Sequence, residues 1–93
     1  MTRIDVQRAD PALVLATFVV TVTDDDGSST THEVRIDPDA VRIAECFSSP
    51  RAFVLACFGF LLEREPKESI LRSFDASAIG RYFPNWQEEL GGP

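Results

Sequence analysis

Residues 16–36, which read ATFVVTVTDDDGSSTTHEVRI, decide the fold, because they hold two alternating patterns around a turn. Side chains of a strand point to opposite faces in turn, so apolar residues at every second position share one face. The acidic run and the glycine between the two patterns are typical of a tight turn. We therefore predict a β-hairpin over residues 13–36, with a core face of Ala16, Phe18, Val20, Val22, His32, Val34 and Ile36.

The register of this hairpin follows from the requirement that the two apolar faces coincide. A three-residue loop at residues 25–27 meets that requirement and sets Val20 opposite His32, whereas a four-residue loop would set an apolar side chain opposite a charged one. Such a loop ends in a left-handed residue, and Gly27 suits that position. Residues 3–7 alternate more weakly, so the sequence leaves undecided whether they form a short extra strand at the edge of the hairpin.

From residue 37 onward the apolar spacing is that of helices. Asp37 and Ser49 each precede a proline, which is typical of a helix start. They predict a short helix over about residues 38–46 and a longer one over about residues 50–64.

Further signals of the same kind predict helices over about residues 66–73 and 76–83, the second capped by Asp75 and burying Ile79, Tyr82 and Phe83. Trp86 and Leu90 predict a last turn that folds back on the core. The order of elements predicts an α+β fold, in which an N-terminal antiparallel β-hairpin packs on three to four C-terminal helices.

The length of 93 residues supports one domain. It would comprise an N-terminal segment of residues 1–12, the hairpin of residues 13–36, a helical part of residues 37–90 and a tail of residues 91–93, which is expected to fray.

The long helix is apolar around most of its circumference. Its large apolar side chains fill an arc of roughly 220° on a helical wheel, whereas an ordinary surface helix needs about 100°. The remaining side carries the small residues Ala52, Ala56 and Gly59, and also Glu63. Glycine inside a helix costs roughly 1 kcal/mol relative to alanine, so a close backbone crossing or a kink at Gly59 is expected. Such a helix must be covered on two sides, by its own chain or by a partner.

Part of the chain carries a recognisable pattern. The run FLLEREP at residues 60–66 is followed by SIL at residues 69–71, by Phe74 and Ile79, and by YFP at residues 82–84. Over about residues 58–84 the chain resembles a family of small bacterial proteins of unknown function that has this pattern near the C-terminus. The resemblance implies a single-domain α+β protein, and it brings neither an activity nor a catalytic residue with it.

Composition excludes several classes of function. Nine basic and fifteen acidic residues give a net charge of −6, which disfavours binding to nucleic acid or to anionic membranes. The longest apolar run, residues 52–62, is shorter than the roughly 20 residues of a membrane-spanning helix. No signal-peptide pattern follows the first residues, so we expect a cytoplasmic protein. Cys46 and Cys57 fit no zinc or redox spacing and are both predicted to be buried thiols.

Two features of the sequence suggest a metal-binding or catalytic site, but neither fits the pattern that such a site requires. The run DDDGS at residues 24–28 lacks the glycine and glutamate spacing of an EF-hand calcium loop. His32 is the single histidine, and its strand pattern favours a half-buried structural residue over a catalytic base. We therefore predict no catalytic, cofactor-binding or metal-binding residue, and no enzyme.

Arg64 falls inside the apolar arc, so its stem is expected to lie along the core. Two interpretations are left open. In the first, the guanidinium forms an ion pair with Glu68 or Asp75 that ties helix ends together. In the second, it belongs to a recognition site with Arg81 and Tyr82 nearby.

These observations predict a protein-interaction or accessory module with an unknown protein partner, and a homodimer is an open alternative. The candidate partner surface consists of Arg64, Arg81, Tyr82, Leu55 and Leu62. The alternative function is a DNA-associated regulator, which would use residues 66–83 as a corner similar to a helix-turn-helix. The second helix of that corner offers one basic residue, Arg81, whereas helices that read DNA usually offer more.

Overall fold

One four-stranded sheet forms one layer of the fold, in the order β1-β2-β3-β4. A computed structural model describes residues 2–9 and 16–91, with strands β1 (Arg3–Arg8), β2 (Thr17–Thr23), β3 (Ser29–Arg35) and β4 (Ser73–Asp75). The helices are α1 (Pro38–Ala44), α2 (Pro50–Leu62), α3 (Ile79–Tyr82) and α4 (Trp86–Gly91), and two 3₁₀ turns lie at Lys67–Ser69 and Ala76–Ala78. The predicted α+β class is confirmed.

The central hairpin has the predicted register. Val20 pairs with His32 and Phe18 pairs with Val34 in the antiparallel ladder of β2 and β3. The loop closes through the Asp24 amide, which donates to the Ser28 carbonyl at 2.9 Å. Gly27 has φ of 86°, the left-handed conformation that the loop requires. The predicted start of the hairpin at residues 13–15 and residues 92–93 of the predicted tail lie outside the described residues. Gly91, which was predicted to belong to that tail, is the last residue of α4.

The weak alternation of residues 3–7 left an extra edge strand undecided. The structure contains this strand as β1, which pairs with β2. Ala9 donates to the Thr17 carbonyl, and the alternation of antiparallel bonds then turns the Val6 carbonyl away from β2. Arg51 of α2 donates from Nε to that carbonyl at 3.1 Å. The helix layer therefore covers part of the sheet edge as well as its face.

The core lies between α2 and one face of the sheet. Phe18, Val20 and Val34 are buried on that face, and Phe53, Val54 and Phe58 are buried on the facing side of α2. The opposite sheet face is mainly polar and partly or fully exposed, with Val19 among Thr17, Thr21, Thr31, Glu33 and Ser73. The fold is thus a two-layer arrangement with helices on one side only.

The two proline-linked helix starts behave differently. Ser49 Oγ accepts from the Ala52 amide at 3.1 Å, which is the predicted cap of α2. Asp37 precedes α1 but does not cap it with its side chain, which instead accepts from the Ser77 amide at 3.0 Å. α1 ends at Ala44, so Cys46 lies beyond it and is exposed, and the prediction of a buried thiol there is wrong. Cys57 is buried as predicted, and burial raises the pKa of its thiol.

The helix predicted over residues 66–73 is wrong. A single 3₁₀ turn follows Pro66, Ile70 is extended, and β4 then pairs in parallel with β3. The Glu33 amide donates to the Arg72 carbonyl at 2.7 Å, so this segment satisfies a backbone donor at the edge of β3. A corner of two helices over residues 66–83 is consequently absent.

The helix predicted over residues 76–83 is split into a 3₁₀ turn and the short α3. Asp75 does not cap it with its side chain and accepts from Arg35 Nε at 2.7 Å instead. Ile79 is buried as predicted, but Tyr82 is 68% exposed, so its predicted burial is wrong.

α4 folds back on the core as predicted. Trp86 is buried and its ring centroid lies 6.1 Å from that of Phe53. Gly80 makes room for this indole, since a Cβ at position 80 would lie 2.5 Å from Trp86 Nε1.

Candidate functional site

α2 divides its apolar circumference between the core and the surface. Six residues are buried: Phe53, Val54, Cys57, Phe58, Phe60 and Leu61. The outward side, which we call the α2 face, consists of Ala52, Leu55, Ala56, Gly59 and Leu62. Leu55 is 38% exposed and the other four are partly buried, with Leu62 packed against the edge of the core. The charged residues Glu63, Arg64 and Glu89 border the face beside Ala56 and Gly59. Part of the apolar arc therefore has no cover from the described part of the chain.

Gly59 forms a notch in the middle of the α2 face. Apart from the backbone of α2 itself, no atom of the described residues would lie within 4 Å of a Cβ at this position, so the expected close backbone crossing is absent from that part of the chain. α2 continues as a helix through this position from Pro50 to Leu62. The loss of stability that a glycine causes inside a helix is thus not offset by close packing against the described residues.

Arg64 borders the α2 face and ties its end to α4. Its guanidinium carbon lies 3.7 Å from the centroid of the Phe60 ring, and Nη1 donates to the Phe60 carbonyl at 3.0 Å. Ion pairs join it to Glu63 and, across to α4, to Glu89. The ion pair predicted between helix ends is present, but Glu89 takes the place of Glu68 and Asp75.

Tyr82 and Arg81 lie on α3, and Tyr82 lines a separate groove. This groove encloses about 150 Å³ between the end of α2, the segment before β4 and α3. Its floor includes Leu61, Ile70 and Phe74, and its rim includes Leu71, which is 50% exposed. Of the five predicted surface residues, Leu55 and Leu62 share the α2 face and Arg64 borders it, whereas Arg81 and Tyr82 belong to another region.

His32 is more deeply buried than predicted. Its Nδ1 lies 2.8 Å from the Leu71 carbonyl, which can only accept, so Nδ1 carries a hydrogen. Its Nε2 lies 2.7 Å from Thr30 Oγ1, and its ring packs against Phe58. Both ring nitrogens thus have structural partners and join β3 to the segment before β4.

Lys67 is the charged residue that sequence reasoning missed. Its side chain is only 2% exposed, and its Nζ donates to Asp24 Oδ2 at 2.7 Å, to Ser28 Oγ at 2.8 Å and to Glu68. The bonds to Asp24 and Glu68 raise the pKa of Lys67 and lower the pKa of each carboxyl. The sequence signal was weak, because Lys67 stands in a charged run after Pro66 that is typical of an exposed turn.

Within residues 2–9 and 16–91, no group of three or more His, Cys, Asp or Glu side chains is placed to hold a metal ion. None of the helices in this part of the chain is long and apolar enough to cross a membrane. No protein-family model, curated protein or solved structure matches the chain.

Proposed function

We propose that the protein is a cytoplasmic interaction module without catalytic activity, and that the α2 face is its binding surface. The observation that carries the proposal is the composition of this face. A helix that packs against a sheet normally shows charged or polar residues to water along its length. The outward side of α2 from residue 52 to residue 62 is instead alanine, leucine and glycine, and its first charged residue is Glu63 at the C-terminal end.

The α2 face is also rigid, which favours binding. Six buried side chains anchor α2 on the sheet, and the ion pair of Arg64 with Glu89 fixes its C-terminal end. A partner that docks on a preformed helix loses little energy in ordering the surface. Apolar patches on a rigid element are typical of protein interfaces.

Site-specific photo-crosslinking in the native host tests this proposal. A benzophenone amino acid at position 55 probes the α2 face, and the same residue at the exposed Tyr82 probes the separate groove. We expect covalent adducts with protein from position 55 and none above background from position 82. Absence of adducts from position 55, or equal yields from both positions, would contradict the α2 face as the binding surface.

The alternative of a DNA-associated regulator stays a prediction, without the two-helix corner on which it depended. The net charge of −6 also opposes it. We expect no complex with duplex DNA at physiological salt in a gel-shift titration up to the micromolar range. A salt-dependent complex tighter than about 1 μM, weakened by Arg81→Ala, would favour the regulator instead.

A further inference from the structure

We propose that the occupant of the α2 face is a second copy of this chain, with the two α2 helices antiparallel about a twofold axis that passes the outward face at the height of Cys57. The inference rests on the proposed function and names the partner of the same surface. A twofold interface must be complementary to itself, since each residue meets a different residue of the other copy. The order of residues along α2 has this property.

Large and small side chains alternate symmetrically about Cys57. Leu55 and Gly59 stand two positions on either side of it, and Ala52 and Leu62 stand five positions on either side. In an antiparallel pair, residues at equal distance from the axis lie at the same height. Leu55 of each copy would thus enter the Gly59 notch of the other, and Leu62 would lie over Ala52.

The notch explains why the glycine is useful. Apart from the backbone of α2 itself, no described atom lies within 4 Å of a Cβ at position 59, so the space is open toward the outside of the fold. Glu63, Arg64 and Glu89 border this space. A leucine from a second helix would fill it and let the two backbones approach closely. Packing of this kind recovers the dispersion contacts that an open notch lacks.

Charge at the two ends of the α2 face favours the antiparallel arrangement over the parallel one. Arg51 and Glu63 stand six positions before and after Cys57, and both are exposed. Within the chain Arg51 also donates to the Val6 carbonyl and Glu63 also pairs with Arg64, so the charges act here as the sign of each end rather than as a specific ion pair. An antiparallel pair brings the Arg51 end of one copy to the Glu63 end of the other, and it opposes the helix dipoles. A parallel pair would instead bring like charges together and set leucine against leucine.

Cysteine cross-linking tests both the partner and its orientation. Ala52→Cys and Leu62→Cys are made separately with Cys46→Ser, because Cys46 is an exposed thiol. The two proteins are mixed, and the mixture and each protein alone are oxidised mildly. Antiparallel pairing places positions 52 and 62 of different copies close together but separates equal positions by about 15 Å along the axis, beyond the reach of a disulfide.

We expect a disulfide-linked dimer in the mixture and no more than background dimer with either protein alone. Equal dimer from the single proteins would overturn the antiparallel arrangement, and no dimer in the mixture would overturn the second copy. Urea unfolding of both variants checks that they fold, which is expected because both positions are partly exposed. Position-55 adducts with a different protein would overturn this inference while leaving the proposed function intact.

Discussion

Lys67 joins the two halves of the fold through one buried amine. It reaches from the 3₁₀ turn after α2 to Asp24 and Ser28 at the hairpin loop, and it also contacts Glu68. Burial of a charge is unfavourable unless partners compensate it, and three oxygen atoms do so here. The hairpin loop is thereby held against the segment that leads into β4.

The Lys67 cluster predicts an acid-sensitive contribution to stability. Asp24 and Glu68 have folded-state pKa values below their ordinary values of 3.8 and 4.5, because Lys67 bonds to each carboxylate. Their stabilising effect is present above these ordinary values and is lost as the pH falls through the lower folded values. The pKa of Lys67 is raised, so its effect persists up to about its ordinary value of 10.5 and is lost at higher pH.

Urea unfolding of the wild type and of Lys67→Met at pH 7 and pH 3 measures this contribution. We expect the variant to be less stable at pH 7, and the difference between the two proteins to shrink at pH 3. A difference that is independent of pH would show that the ion pairs contribute nothing and that only the aliphatic stem matters.

Gly27 gives a second prediction at the residue scale. Its φ of 86° is unfavourable for a β-branched side chain, so Gly27→Val should lower the free energy of unfolding by about 1 kcal/mol or more. Gly27→Asn serves as the matched control, since asparagine tolerates this conformation better. Equal stability of the wild type and Gly27→Val in urea unfolding would contradict the strained-turn argument.

At the scale of elements, local patterns were predictable and distant pairings were not. The hairpin was predicted in register because its loop and both strands are contiguous in sequence. β4 was missed because three residues are too few to show alternation, and its partner β3 lies about forty positions away. The apolar residues Ile70, Leu71 and Phe74 fit a helical spacing equally well, and the open edge of β3 decided between the two.

α2 supports a prediction that separates core from surface. Phe60 is buried against Phe83, with ring centroids 5.6 Å apart, and beneath Arg64. Phe60→Ala should therefore leave a cavity and lower the free energy of unfolding by roughly 3–5 kcal/mol. Leu55→Ala on the same helix is the control and should cost much less under conditions that keep the chain monomeric. Similar losses for both variants in urea unfolding would contradict the division of α2 described above.

At the scale of the whole molecule, the apolar arc of α2 was predictable from the sequence, but the elements that pack against it were not. The wheel placed Leu55 and Leu62 at the edge of the arc, where the structure leaves them partly exposed. It could not show that the sheet, Trp86 and Phe83 cover the rest, because those contacts join distant parts of the chain. For the same reason the sequence grouped Arg81 and Tyr82 with a surface to which they do not belong.

Sedimentation equilibrium tests most directly the central claim that the α2 face pairs with its copy. Three proteins are compared over a range of concentrations: the wild type, Leu55→Glu on the α2 face, and Leu71→Glu at the more exposed leucine of the groove rim. We expect a reversible dimer for the wild type and Leu71→Glu, and a folded monomer for Leu55→Glu, because a buried unpaired carboxylate opposes association. A wild type that remains monomeric at high concentration, or a Leu55→Glu variant that still dimerises like the wild type, would contradict the account.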